Sequence, residues 1–153
     1  MHPRNLFYNN PPDFGSLAIL YPDFSSYLIK IETKKPTIDF KNADSLSYLY
    51  TILMRHYFNL KTYIPNDHLI PRIPQRLNYI LWIEDLLERP IKAFGFDIGC
   101  GASCVFDILA CTMNKEWRMI ASDMNDDNLK WARENVEMNS DLKERIQSNK
   151  SGF

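Results

Sequence analysis

Two glycines one residue apart, flanked by a carboxylate and thiols, are the part of this sequence best equipped for chemistry: Phe96-Asp97-Ile98-Gly99-Cys100-Gly101-Ala102-Ser103-Cys104. The first glycine permits a tight turn. The second lets backbone approach a ligand where a Cβ would intrude. A helix that starts just after such a turn aims its free N–H groups at whatever fills it. Asp123 follows Gly99 by 24 residues, close to the roughly 20-residue offset at which an acid meets ribose hydroxyls. A carboxylate there accepts both hydroxyl hydrogens and disfavours a 2′-phosphate. Dinucleotide sites usually add a third small residue, G-x-G-x-x-G/A, where this chain has Cys104. A pyrophosphate needs the close helix–strand packing which that residue allows; S-adenosylmethionine has no phosphate and is less demanding. The bland alternative is a generic αβ turn with two permissive glycines.

Other candidates read more modestly. Cys100, Cys104 and Cys111 follow a C-x₃-C-x₆-C spacing. With no histidine near and two of them on a helix, buried reduced thiols are expected rather than zinc ligands, so no metal site is assigned. Three cysteines, an odd number, argue against a disulfide framework and fit a reducing compartment. His56 reads as a partner for a helix C-terminus, His68 as an ordinary loop residue and His2 as a flexible terminus. Lys34-Lys35, Lys61, Arg72 and Arg76 could touch phosphates but are too scattered to form a patch. Asp126-Asp127 reads as a helix N-terminus with favourable charge.

The elements that must position these residues follow from patterning. Five prolines, Pro3, Pro11, Pro12, Pro22 and Pro36, keep helices short in residues 1–40. Asp13 can cap a short helix with Leu17 and Leu20 on its inner face. Ile29–Ile31 and Thr37–Phe40 suggest a small hairpin around Lys34-Lys35-Pro36. From a cap at Asn42 or Asp44, Leu46, Leu49, Tyr50, Leu53, Met54 and Tyr57 recur with helical spacing, to a stop near Asn59. An ordered, proline-bearing loop follows over 61–75. A helix from about Gln75 to Glu88 has two apolar faces, implying wide burial. Ile91–Ile98 reads as a central strand, Ser103–Met113 as helix, Arg118–Ser122 as a second strand and Asp126–Met138 as helix. Strand, glycine turn, helix, strand, helix opens a parallel, doubly wound α/β sheet. The expected division is a mostly helical extension over 1–89 and the start of a Rossmann-like domain over 90–153.

The 153 residues hold 18 Lys+Arg against 19 Asp+Glu, a net charge of −1. That excludes a nucleic-acid module binding by bulk charge alone. A 45% hydrophobic content with 13% aromatics supports a core and excludes a disordered tail. No apolar run approaches the roughly 18 residues needed to cross a bilayer, and Met1-His2-Pro3-Arg4-Asn5 offers no apolar signal segment.

Three stretches together, Asp97 to Cys104, Leu69-Ile70-Pro71 through Pro74, Arg76 and Leu77-Asn78-Tyr79-Ile80, and Pro11-Pro12-Asp13-Phe14, resemble the RNA adenine-N6 methyltransferases of the methyltransferase-like sixteen type. That family methylates U6 small nuclear RNA and has bacterial relatives acting on ribosomal RNA. The similarity runs from about Arg4 to about Asn139, nearly the whole chain. It implies a class I methyltransferase sheet, S-adenosylmethionine as cofactor, structured RNA as partner and a nuclear location, with no membrane. It implies that Arg76 reaches the carboxylate of the cofactor's methionine part, since a guanidinium fork suits a carboxylate. Gly99 and Ser103 would line the cofactor and Asp123 would hold the ribose, where the family usually has the longer Glu. Pro11, Pro12, Asp13 and Phe14 would lie in an RNA-facing region.

One departure stands out. The family's catalytic Asn-Pro-Pro-Phe follows a fourth strand, and the residues after Asn139 give neither a complete third strand nor a fourth. The expectation is therefore the front part of such an enzyme, with its cofactor half present and little or no turnover from residues 1–153 alone. The alternative is a non-catalytic RNA- or partner-binding remnant. Asn10-Pro11-Pro12 mimics the motif, but no apolar strand precedes it and Asp13 separates the second proline from the aromatic that should stack on a flipped base. A turn leading into a helix cap is expected there.

Overall fold

In a computed structural model of the chain, the described residues are 1–29 and 35–150. They form α1 (Phe14–Leu20), a 3₁₀ turn (Pro22–Tyr27), β1 (Leu28–Ile29), β2 (Thr37–Ile38), α2 (Ala43–Phe58), α3 (Ile73–Leu86), β3 (Phe94–Ile98), α4 (Val105–Met113), β4 (Arg118–Asp123), α5 (Asp126–Glu137), α6 (Ser140–Lys143) and β5 (Ile146–Lys150). The class is α/β, as expected: a parallel sheet in the order β3-β4-β5 behind a mostly helical N-terminal part.

Local chemistry explains most boundaries. Asp13 accepts the Ser16 N–H at 2.8 Å and starts α1. Asn42 accepts the Ser45 N–H at 2.9 Å and starts α2, which Asn59 ends in a left-handed conformation, φ 56°. Pro74 sits in the first turn of α3, where its missing N–H costs nothing. α4 begins at Val105, two residues later than its apolar spacing suggests, because Cys104 adopts φ 48°. The core is one continuous cluster that joins Leu53 and Met54 of α2, Leu77 and Leu81 of α3, Ile108 and Leu109 of α4, Ala121 of β4 and Leu129 of α5. Among the described residues no helix is long and apolar enough to cross a membrane.

Several expectations are corrected. A third strand exists: Ile146–Lys150 pairs in parallel with Met119–Asp123. Its Gln, Ser, Asn and Lys have little strand propensity, and backbone pairing to β4 decides the matter. Of the two apolar faces of α3, only Ile73, Leu77, Ile80 and Leu81 are buried, while Tyr79, Trp82 and Leu86 are exposed. Among the described residues β3 pairs with β4 alone, and Phe94, Phe96 and Ile98 are 70%, 58% and 71% exposed. Alternation places those three on the face opposite Asp97, and among the described residues nothing covers it. Leu20 is exposed, and Leu17 is the fully buried residue of α1, with Phe14 and Ala18 half-buried against the core. His2 is buried, not loose: it packs edge-on against Trp82 with ring centroids 4.8 Å apart. The hairpin is a two-residue antiparallel pairing, Leu28 with Ile38 and Ile29 with Thr37. Ile31 and Lys34 lie outside the described residues.

Candidate functional site

The glycine turn owes its shape to the end of β4. Gly99 has φ 86° and Gly101 φ 64°, conformations that disfavour any side chain. The N–H groups of Gly99 and Cys100 both donate to the Ser122 carbonyl, at 2.8 and 2.9 Å. The Ser122 hydroxyl donates back to the Asp97 carbonyl at 3.0 Å. The Gly101 N–H donates to Asp123 Oδ2 at 2.9 Å. Strand, turn and acid are therefore locked together. A Cβ built on either glycine would meet no atom within 4 Å, so both face open space.

That space is a pocket of about 460 Å³ lined by Arg76, Gly99, Gly101, Ser103, Phe106 and Asp123, with Asn125 and Asn128 behind and the 67–71 loop at its rim. All four residues expected to bind cofactor thus line one cavity. Asp123 is nearly buried, and burial alone would raise its pKa. The N–H groups of Asn125 and Gly101, with the Asn128 amide, outweigh that and hold the carboxyl below its ordinary value. Arg76 rises from the first turn of α3 and its guanidinium lies over the Phe106 ring, 5.2 Å from the centroid. Among the described residues its Nε is buried without a hydrogen-bond partner, and its guanidinium pairs with no carboxylate. An unpaired, charged donor at a pocket wall suits a carboxylate ligand.

Behind the turn, Asp97 faces Asp107 of α4. Burial, then repulsion from Asp97, pushes the Asp107 carboxyl up to about 8, and burial raises Asp97 as well. The pair keeps a proton at neutral pH, which limits negative charge behind the pocket. Cys104 Sγ donates to Asp107 Oδ2 at 3.2 Å. The three cysteines are free and buried.

Sequence reasoning missed His68. It lines the pocket, and its ring nitrogens lie 2.8 Å from Asp67 and 2.9 Å from Asp127, tying the rim loop to the start of α5. No local pattern signals a partner 59 residues away. It also missed Phe106, whose helical spacing marks only a core position. Pro11, Pro12, Asp13 and Phe14 are not in this pocket. Pro12 and Phe14 line a separate apolar one of about 400 Å³ with Phe40, Tyr50 and Ile70, and Pro71 borders both cavities. Asp13 is the α1 cap, the role expected over the Asn-Pro-Pro mimic.

Known proteins agree with this geometry. A family model described as RNA methyltransferase matches residues 1–152. The zebrafish (Danio rerio) RNA N(6)-adenosine-methyltransferase mettl16 is 41% identical over 142 residues, covering 91% of this chain and 30% of that protein. The Caenorhabditis elegans U6 small nuclear RNA (adenine-(43)-N(6))-methyltransferase is 40% identical over 142 residues, covering 91% and 29%. The crystal structure of the N-terminal domain of human METTL16 in complex with SAH superposes with a TM-score of 0.94 at 37% identity, covering 99% of this chain and 59% of that one. The chain spans about 30% of the length of the curated relatives it matches.

Proposed function

The chain belongs to this RNA methyltransferase family, and on that premise we propose that the intact protein transfers a methyl group from S-adenosylmethionine to the N6 amine of an adenine in structured, U6-like RNA, in the nucleus. The observation that carries the reading is the convergence of Arg76, Gly99, Ser103 and Asp123 on one pocket that still has hydrogen-bonding capacity to give.

The residues fit the cofactor. Among the described residues no carboxylate pairs with the Arg76 guanidinium, and a methionine carboxylate would supply that partner. Both glycines face space that a Cβ would occupy and an adenosyl group can take instead. Asp123 is ionised and held rigid, so it can accept ribose hydroxyls without reorganising. Ser103 sits at the mouth of the turn beside the carboxylate-binding wall. When bound, S-adenosylmethionine supplies an electrophilic methyl on a sulfonium. What these residues do is orient it and exclude alternative poses. Residues 1–153 do not contain Asn-Pro-Pro-Phe, so this reading gives them the hold on the cofactor and gives methyl transfer to the intact protein.

In this reading the 1–89 part faces RNA. Pro12, Phe14 and Phe40 form an apolar pocket next to the cofactor site, across Pro71, with Arg72 on its wall. Stacking surface beside a cation suits an unpaired base. The relative from C. elegans is named for U6 small nuclear RNA, and human METTL16 has been crystallised with a MAT2A 3′UTR hairpin, a structure matched with a TM-score of 0.94. The test is direct. The intact protein should bind S-adenosylhomocysteine in a calorimeter and label N6 of an adenine in a U6-type hairpin with methyl from S-adenosylmethionine. Binding of hairpin with no heat from either cofactor form would replace this reading with a non-catalytic RNA-binding one.

A further inference from the structure

Residues 61–64 form a strap that pairs with no strand among the described residues, yet its backbone is hydrogen-bonded on both sides. On one side Asn135 of α5 accepts the Tyr63 N–H at 2.7 Å and donates to the Tyr63 carbonyl at 2.9 Å. One helical turn later Asn139 does the same for Lys61, at 2.9 and 2.8 Å. On the other side, Ser47 and Thr51 of α2 donate to the carbonyls of Ile64 and Thr62, at 2.5 and 3.2 Å. The match is geometric. Four helical residues rise about 6 Å and two extended residues about 6.6 Å, so side chains at i and i+4 meet alternate strap residues as a strand would. Odd-numbered carbonyls turn to α5 and even-numbered ones to α2.

Asn135 differs from the other three in one contact. Its Nδ2 also donates to the Ala102 carbonyl at 3.1 Å, and to the Trp131 carbonyl at 3.0 Å. Ala102 lies in the glycine turn between Gly101 and Ser103, and Asn135 is fully buried beneath it. Asn139 spends its remaining capacity on the Asn135 carbonyl, at 2.8 Å, and does not reach the turn.

We propose that Asn135 is a positioning residue for cofactor binding: its amide anchors the glycine turn to the strap, so that Gly101 and Ser103 hold their spacing in the pocket. Through the strap the same amide ties the turn to α2 of the helical part. The proposal rests on the reading of this pocket as an S-adenosylmethionine site.

Asn135→Asp and Asn139→Asp in the intact protein separate positioning from plain stability. Each keeps the acceptor for the strap N–H and loses the amide donors; only the first releases Ala102. The substitution removes the Nδ2 hydrogens that Tyr63, Ala102 and Trp131 share, and release of Ala102 should weaken S-adenosylhomocysteine roughly tenfold in Asn135→Asp. Asn139→Asp should lower Tm through loss of its two donor bonds while its Kd stays within about twofold of wild type. Equal Kd changes in both variants, or none in Asn135→Asp, would overturn the proposal. Should Asn135→Asp fail to fold, hydrogen exchange on the wild type decides. S-adenosylhomocysteine should slow exchange in 61–64 together with 99–104, and protection of 99–104 with an unaltered strap would overturn it. Failure of the wild type to bind S-adenosylhomocysteine would sink the cofactor reading and this proposal with it. Wild-type binding that Asn135→Asp shares would sink the proposal alone.

Discussion

The N-terminal anchor and the glycine turn both hold buried polar side chains, but one is closed and the other open. In the anchor, Arg4 donates to Glu84 at 2.6 Å, to Asp85 at 2.7 Å and to the Leu81 carbonyl at 3.2 Å. His2 Nε2 lies 2.8 Å from Asp85, and Asn114 donates to the other Glu84 oxygen at 2.7 Å. The His2 N–H adds a bond to Asn78. Every carboxylate oxygen there has a partner within the chain. At the turn, Arg76 Nε, Asp97 Oδ2 and Asp107 Oδ1 have none. Unpaired buried polar atoms cost about 1–3 kcal/mol each. A fold tolerates that where a ligand or a shared proton completes the set, whereas a closed network serves the fold alone. The two regions should therefore respond differently to mutation and to pH.

The largest expected effect is on ligand affinity. Arg76→Ala should weaken S-adenosylhomocysteine about a hundredfold, the value of a charge-assisted contact, while the Tm of the free protein moves little. A fall in Tm without a change in Kd, read by calorimetry and thermal melting, would break the contrast. Next comes Arg4→Ala, which leaves the buried Glu84 without its cation. A loss of about 2 kcal/mol, or roughly 5 °C in Tm, is expected, with cofactor Kd unchanged.

The pH responses should have opposite signs. The Asp107 carboxyl in the folded protein titrates at about 8, against an ordinary value of 3.8. The folded state thus binds more protons than the unfolded one between those values. That contribution is fully present below the ordinary value and is lost as pH rises to about 8. Asp107→Asn should remove this alkaline loss, so that its Tm relative to wild type is higher at pH 8 than at pH 4. Asp85 is the reverse case: its hydrogen bond from His2, then that from Arg89, holds its carboxyl well below the usual range. Its contribution is present at neutral pH and lost only in acid. Melting curves from about pH 2 to 8 on wild type and Asp107→Asn resolve the two. The smallest effect is at the surface. Lys150 and Asp126 meet at 2.6 Å but are 59% and 73% exposed, so Lys150→Ala should change stability by less than about 0.5 kcal/mol.

Much of the site was legible before the fold was known, for local reasons. Gly99 and Gly101 announce a positive-φ turn because few other residues tolerate one. Asp123 announces itself by its distance from them. Asp13 and Asn42 are caps by residue type and position, and each accepts the expected N–H group, while Asn125, not foreseen, caps the helix that Asp126-Asp127 announce. Arg76 was legible through resemblance rather than pattern. His68 and Asn135 were not legible at all, since an imidazole in a loop and an amide in a helix carry no mark of what lies opposite. The exposed face of α3 misled the reading because apolar spacing reports which residues can be buried, not which are.

Spacing and residue type alone determined the glycine turn, the caps and the alternation of strand and helix, because these depend on backbone sterics and on hydrogen bonds a few residues long. Tertiary structure alone decided what meets across the chain. It brought Arg76 from α3 and Asp123 from β4 to one cavity, paired the polar residues of β5 with β4, and set the Asn135 amide under Ala102. Those contacts join residues tens of positions apart, where local preference exerts no force and packing decides.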